Sequence, residues 1–145
     1  MNLRPALPAD CALLARMNKQ LIEDERSRNP MTLEQLERRM ARWLARGEYQ
    51  VELIETERPV GYIVYRTSPD EFYPEQKVVY LRQFFIAREC RRKGLGRAAI
   101  ALWMESRVTE CSRVILEVLA KNRAGLEFWR SLGFGDYAHV LLLTK

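Results

Sequence analysis

A short basic turn between a strand-like segment and an amphipathic helix constrains the fold more than any other part of the chain. Residues 78–86 read V-V-Y-L-R-Q-F-F-I, a pattern typical of a strand, and residues 91–96 read R-R-K-G-L-G. From Leu95 onward, apolar residues recur at the spacing of a helix. This combination favours an anion site, because glycines let the backbone approach a ligand and the first helical N–H groups point at it.

Basic side chains at a helix start are often no more than solvent-exposed surface. Here, however, four cations oppose the helix dipole, each at a cost of about 0.3–1 kcal/mol, and a bound anion would relieve that conflict. The spacing fits neither G-x-G-x-x-G nor G-x-x-x-x-G-K-[ST], so the sequence predicts a pyrophosphate of another kind. The four cations are Arg91, Arg92, Lys93 and Arg97.

Two separated motifs resemble those of the GNAT family of N-acetyltransferases. R-R-K-G-L-G is similar to the family's Q/R-x-x-G-x-G/A loop, and I-L-E-V-L-A-K-N at 115–122, followed by F-W and L-G-F at 128–134, is similar to its second motif. The resemblance implies an α/β (α+β) fold, with a mixed central sheet of about six to seven strands flanked by about four helices. The implied order is β-α-α-β-β-β-α-β-α-β-β. We expect residues 1–145 to form a single N-acetyltransferase domain.

Composition limits the other classes of protein. The net charge of +5 suits an anionic cofactor. Nothing resembles a signal peptide, and no apolar run approaches the roughly 18 residues of a membrane span. The three cysteines lack metal-ligand spacing, and His139 is the only histidine. We therefore expect a cytoplasmic protein with reduced thiols, no metal and no membrane partner.

The resemblance implies a transferase that moves an acetyl group from acetyl-CoA to a primary amine, by direct attack in a ternary complex. A small-molecule amine or a peptide amine would be the acceptor, and the chain would be a monomer or a homodimer. One alternative is a GNAT-fold module that binds CoA without efficient catalysis. A nucleic-acid-binding protein is a weaker alternative, because the basic residues cluster at one helix start without interleaved exposed aromatics.

Matching the motifs residue by residue assigns the groups that would hold acetyl-CoA. The backbone of residues 84–86 would pair with the pantetheine arm, and the Ile86 N–H would donate to the oxyanion. The basic turn would hold the pyrophosphate. The predicted cofactor-binding residues are Phe84, Phe85, Ile86, Arg91, Arg92, Lys93, Gly94, Leu95, Gly96, Arg97, Asn122 and Trp129.

Glu117 is the predicted general base, acting through water, because a matching glutamate has that role in L-E-V-x-x-x-N members. It could instead be a strand residue paired with an arginine. Tyr80 lies roughly where other members carry a base carboxylate, and is a second catalytic candidate. The family's tyrosine, which protonates the departing sulfur, would fall at Trp129, whose indole is not a usable acid. Tyr137, Tyr80 or a water could substitute.

The acceptor site is expected between the first two helices and the last strand pair. Glu23, Asp24 and Glu25 are the predicted groups that attract a cationic amine, and Tyr73 would line the entrance. Acids at the C-terminal end of a helix oppose its dipole, which favours a functional role, although a solvated helix end is the ordinary explanation.

Overall fold

The computed structural model describes all 145 residues, and its central feature is a five-stranded sheet. The strands are β1 (Asn2–Pro5), β2 (Gln50–Glu55), β3 (Pro59–Pro69), β4 (Lys77–Ile86) and β5 (Cys111–Ile115). The helices are α1 (Cys11–Glu25), α2 (Leu33–Arg46), α3 (Leu95–Ser106) and α4 (Arg123–Ser131). Two short 3-10 turns lie at Pro8–Asp10 and Arg88–Cys90.

Helices cover both faces of the sheet. On one face Tyr49, next to β2, packs edge-on against Trp43 of α2, and on the other Tyr65 of β3 packs against Trp103 of α3. Helix α2 begins with a reciprocal cap, in which the hydroxyl of Thr32 accepts the N–H of the third helical residue at 3.2 Å. The apolar residues between these layers form one core of 27 buried residues.

The sheet opens between its last two strands. Neighbouring strands from β1 to β4 are antiparallel, whereas β4 and β5 are parallel. The last pair between β4 and β5 is Tyr80 with Ile115, so residues 81–86 have a neighbouring strand on the β3 side only. A bulge at Arg82 interrupts the register with β3 just beyond this point.

The prediction of two strands after the last helix, which the implied order placed around residues 134–143, is wrong. The chain after α4 forms no helix or strand, and from Gly135 onward its backbone makes no hydrogen bond to other backbone groups. A strand needs a paired neighbour, and none lies beside this segment. The apolar residues at 140–143 remain 78–92% exposed, and all 34 buried residues precede Thr109. The sheet therefore has five strands rather than six to seven. No helix is both long enough and apolar enough to span a bilayer.

Candidate functional site

A cavity of about 640 Å³ lies where β4 and β5 diverge. Its walls are the C-terminal half of β4, the basic turn, the end of α1 and the start of α4. This volume suits a ligand of ordinary cofactor or drug-fragment size. The lining residues are Leu21, Asp24, Glu25, Phe84, Phe85, Ile86, Arg91, Arg92, Gly94, Leu95, Gly96, Arg97, Asn122, Ala124, Gly125, Phe128 and Trp129.

Strand β4 presents backbone groups to this cavity. The N–H of Ala87 donates to the Val60 carbonyl of β3 at 2.7 Å. Backbone groups alternate sides along a strand, so those of Ile86 and Phe84 point away from β3. The Ile86 carbonyl accepts Nε of Arg91 at 2.8 Å, on that same open side. The N–H predicted to donate to the oxyanion therefore points toward the cavity, although its role stays a prediction.

The start of α3 offers uncapped N–H groups to the cavity. Gly94 precedes the helix with a φ of 75°, and no side chain caps the first turn. The first backbone bond of the helix joins the Ala98 N–H to the Gly94 carbonyl, so the N–H groups of residues 95–97 lack helical acceptors. Arg92 also has a positive φ, of 61°, a strained conformation for a residue with a side chain. This geometry suits an anionic ligand.

The four cations of the turn are not equivalent. Arg91 is an ion-pair partner of Asp24, and the Arg97 guanidinium donates to the Ser131 hydroxyl at 3.0 Å. Arg92 and Lys93 form no hydrogen bond or ion pair, but Lys93 does not line the cavity. The positive charge inside the cavity that no acid compensates is therefore that of Arg92 and Arg97.

Aromatic rings form another part of the cavity wall. Phe84 and Phe128 are stacked with ring centroids 5.9 Å apart, and Trp129 packs edge-on against both. A Cβ at Gly96 would lie 3.4 Å from the Phe128 ring, so the glycine leaves this part of the cavity open. Phe128 was not among the predicted site residues, although it lies in the F-W part of the second motif.

Asn122 lines the cavity but also has a structural role. Its Oδ1 accepts the Gly125 N–H at 3.1 Å and so caps α4. A Cβ at residue 125 would lie 2.5 Å from the Asn122 amide nitrogen, so the cap requires glycine there.

Leu21, Ala124 and Gly125 line the cavity but were not predicted, since only the folded chain brings α1 and the start of α4 to β4.

The three predicted acceptor acids differ in the structure. Glu23 and Asp24 are both paired with Arg88, and Asp24 is also paired with Arg91, so their charges are already compensated. Glu25 lines the cavity, is half-buried and forms no hydrogen bond or ion pair. Burial, together with the negative charge of Asp24, raises the pKa of Glu25. Glu25 is therefore the free acid of the site.

Three other predicted residues lie outside the cavity. Glu117 lies beyond the end of β5, is exposed and pairs with no arginine. Tyr80 is half-buried, and burial, reinforced by the charge of Glu117, raises its pKa. Tyr73 is 60% exposed and precedes β4, at the opposite end of the strand from Ile86. The structure does not bring these side chains to the basic turn.

The chain contains no group of three or more histidine, cysteine, aspartate or glutamate side chains placed to hold a metal ion. Its three cysteines are free.

The sequence matches the model of the acetyltransferase (GNAT) family over residues 17–134, which is most of the chain. The chain belongs to this GNAT family. Its members are acetyltransferases, so acetyl transfer is the activity indicated at the level of the family. None of the curated proteins matches the chain in sequence.

Solved structures share the GNAT fold over nearly the full length. A ribosomal-protein-alanine N-acetyltransferase from Brucella melitensis biovar Abortus 2308 has a TM-score of 0.76 at 12% identity, over 99% of this chain and 100% of that one. An acetyltransferase from Trypanosoma brucei has a TM-score of 0.70 at 22% identity, over 99% of both chains. A transcriptional regulator from Bacillus halodurans C-125 has a TM-score of 0.77 at 17% identity, also over 99% of both. At these identities the likeness shows the fold alone, and it confirms the fold class that the motifs predicted.

Proposed function

We propose that this protein is an acetyl-CoA-dependent N-acetyltransferase that acts on a primary amine. One observation carries the proposal: a single cavity combines an uncapped helix N-terminus, the open edge of β4 and the unpaired carboxyl of Glu25. The first two suit the cofactor, and the third suits the acceptor. The family assignment supports the same reaction class.

The residues present fit acetyl-CoA. The N–H groups at the start of α3 and the charge of Arg92 would hold the pyrophosphate. The outward backbone groups of Phe84 would pair with the amides of the pantetheine arm, which leaves the Ile86 N–H for the acetyl oxygen. The ring of Trp129 would enclose the thioester end. When bound, acetyl-CoA supplies an acyl group on a sulfur leaving group.

The reaction needs a base and an oxyanion donor. An alkyl ammonium has a pKa near 10.4, so a proton must leave before its nitrogen attacks. Glu25 takes that proton, and the Ile86 N–H donates to the acetyl oxygen as negative charge develops there. A carbon–nitrogen bond forms and the carbon–sulfur bond breaks. Overall, the ammonium and the thioester give the N-acetyl amine, the CoA thiol and one proton. Glu25 replaces Glu117 as the proposed base, because Glu117 lies outside the cavity.

Trp129 favours the second candidate, a module that binds CoA without efficient catalysis. Trp129 occupies the position of the family's tyrosine acid, and an indole N–H cannot protonate a departing sulfur. A thiol with a pKa of about 8.5 leaves tolerably without that proton, so the substitution is compatible with turnover.

Release of the CoA thiol from acetyl-CoA, measured against a panel of amines and peptide N-termini, tests the proposal. Amine-dependent release by the wild type, lost in Glu25→Gln, is the expected result. Binding of acetyl-CoA without release for any acceptor would favour the module. Absence of binding would contradict both candidates.

A further inference from the structure

A group of arginines stacked on aromatic rings lies beside the cavity. The guanidinium carbon of Arg39 is 4.7 Å from the ring centroid of Trp43, and that of Arg82 is 5.2 Å from the same ring. The guanidinium carbon of Arg66 is 5.3 Å from the ring centroid of Tyr49, and that of Arg82 is also 5.3 Å from it. We call Arg39, Arg66 and Arg82 the arginine cluster. Its members come from α2, β3 and the bulge of β4, so local sequence does not reveal it.

No acid compensates the arginine cluster. None of its three guanidinium groups forms an ion pair in the structure. Burial, followed by the positive charge of Arg82, lowers the pKa of Arg39. Gathering like charges without a counter-ion is unfavourable, so an anion would be stabilised at this place.

Two buried N–H donors beside the arginine cluster have no hydrogen-bond partner. Nη2 of Arg39 donates to Oδ1 of the fully buried Asn18 at 3.0 Å. The Asn18 amide nitrogen and Nε of Arg39 are buried without any partner, and only one other side-chain atom in the chain shares that condition. Both are N–H donors. Since buried polar groups are normally paired, the Asn18 amide and Nε of Arg39 both lack an oxygen acceptor.

The arginine cluster adjoins the acceptor end of the cavity. Arg82 is followed along β4 by Gln83, which accepts the Tyr62 hydroxyl at 2.9 Å, and then by residues of the cavity wall. Burial raises the pKa of Tyr62, the negative charge of Glu25 raises it further, and the positive charge of Arg39 opposes them. The buried Tyr62 therefore lies within electrostatic reach of both the free carboxyl and the arginine cluster.

We propose that the acceptor amine also carries an anionic oxygen group, a carboxylate or a phosphate monoester, which Arg39 and Arg82 bind while Glu25 receives the amine. This inference rests on the proposed function. Guanidinium groups match the planar, multi-oxygen geometry of both anions. Nucleic acid does not fit, because the rings of Trp43 and Tyr49 are only 2% and 8% exposed and offer no face for a base to stack on.

Matched amines test the inference kinetically. The anionic set is glycine, β-alanine, 4-aminobutyrate and phosphoethanolamine, and the neutral set is their three carboxamides and ethanolamine. We expect kcat/KM to be about tenfold or more higher for at least one anionic member than for its neutral counterpart. Comparing phosphoethanolamine with the three carboxylates shows which of the two anions the site prefers. Arg82→Met, on an exposed side chain, and Arg39→Met should abolish the preference. Arg58→Met, in the exposed turn between β2 and β3, is the control and should retain it. Equal rates for both sets, or a preference kept by Arg82→Met, would overturn the inference.

The NMR signals of the three tryptophan indole N–H groups can test this inference independently of the proposed function. Trp43 lies at the arginine cluster, Trp129 lines the cavity and Trp103 is fully buried elsewhere, so each reports a different place. Titration with inorganic phosphate and with acetate should shift the Trp43 signal in the wild type but not in Arg82→Met. A Trp43 signal that responds to neither anion contradicts the inference. A Trp129 signal that does not respond to acetyl-CoA contradicts the proposed function and leaves the anion site standing.

Discussion

Gly61 holds β3 against β4 at the point where Ile86 presents its N–H to the cavity, and Gly61→Ala should disturb both the sheet and the site. Residues 61 and 86 are paired, and a Cβ at residue 61 would lie 2.1 Å from the carbonyl oxygen of Phe85. Carbon–oxygen contacts in sheets are normally about 3.3 Å or longer. This carbonyl is part of the β4 backbone and cannot rotate away as a side chain could, so the strands must separate by about 1 Å.

Separating β3 from β4 lowers the free energy of unfolding. It stretches the adjacent N–H···O bonds beyond their usual length, and each buried group left without a partner costs about 1–3 kcal/mol. We expect the free energy of unfolding to fall by about 2–4 kcal/mol, which for a chain of this size lowers Tm by about 6–16 °C. A 1 Å displacement of the Ile86 N–H should also reduce kcat/KM by about 100-fold.

Thermal and denaturant unfolding measure the first effect, and CoA release measures the second. Gly135→Ala is the matched control, because a Cβ there meets no atom within 4 Å and the residue has no positive φ. Its free energy of unfolding should stay within about 0.5 kcal/mol of the wild-type value. A Gly61→Ala protein as stable as this control would refute the reasoning from the close contact.

The remaining predictions concern single charged groups. Glu25→Gln should lower kcat by about 100-fold or more. Since the folded-state pKa of Glu25 is raised above its unfolded value, its favourable contribution to stability is present at low pH and is lost as pH rises through the folded pKa. Glu25→Gln should thus be at least as stable as the wild type at neutral pH, while wild-type activity should fall as pH drops through that pKa. An unchanged pH–rate profile in Glu25→Gln would exclude the base. Arg92→Met should weaken acetyl-CoA binding about tenfold in calorimetry, with kcat within about twofold; equal affinity would remove Arg92 from the pyrophosphate site. Arg107→Met removes the ion-pair partner of buried Glu52 and should lower the free energy of unfolding by about 3 kcal/mol, measured by denaturant. A loss below about 0.5 kcal/mol would show that Glu52 needs no counter-ion.

The framework of the cavity could be predicted because it depends on local chain order. The strand, the turn and the helix start follow one another between residues 77 and 106, and the glycine at position 94 adopts the positive φ that the turn needs. Local order therefore brings the end of β4 and the α3 N-terminus to one cavity, whereas the role of the Ile86 N–H was predicted only from the resemblance to the family.

Pairing between distant residues could not be predicted. The contacts of Asp24 with Arg88 and Arg91 span 64 and 67 positions, and they decide that Glu25 rather than Asp24 is the free acid. The motif also placed Glu117 on a strand, whereas β5 ends at Ile115. The apolar residues at 140–143 favour a strand by composition, but a strand forms only where a neighbour is available, which local sequence does not specify.

Calorimetric titration with acetyl-CoA, comparing the wild type with Gly96→Trp, tests the central claim most directly. A side chain at residue 96 would point between Phe128 and Ile86, so an indole there should fill the cavity without entering the core. We expect micromolar binding by the wild type and none by Gly96→Trp, while both proteins unfold at similar temperatures. Absence of binding by the wild type, or equal binding by the variant, would contradict it.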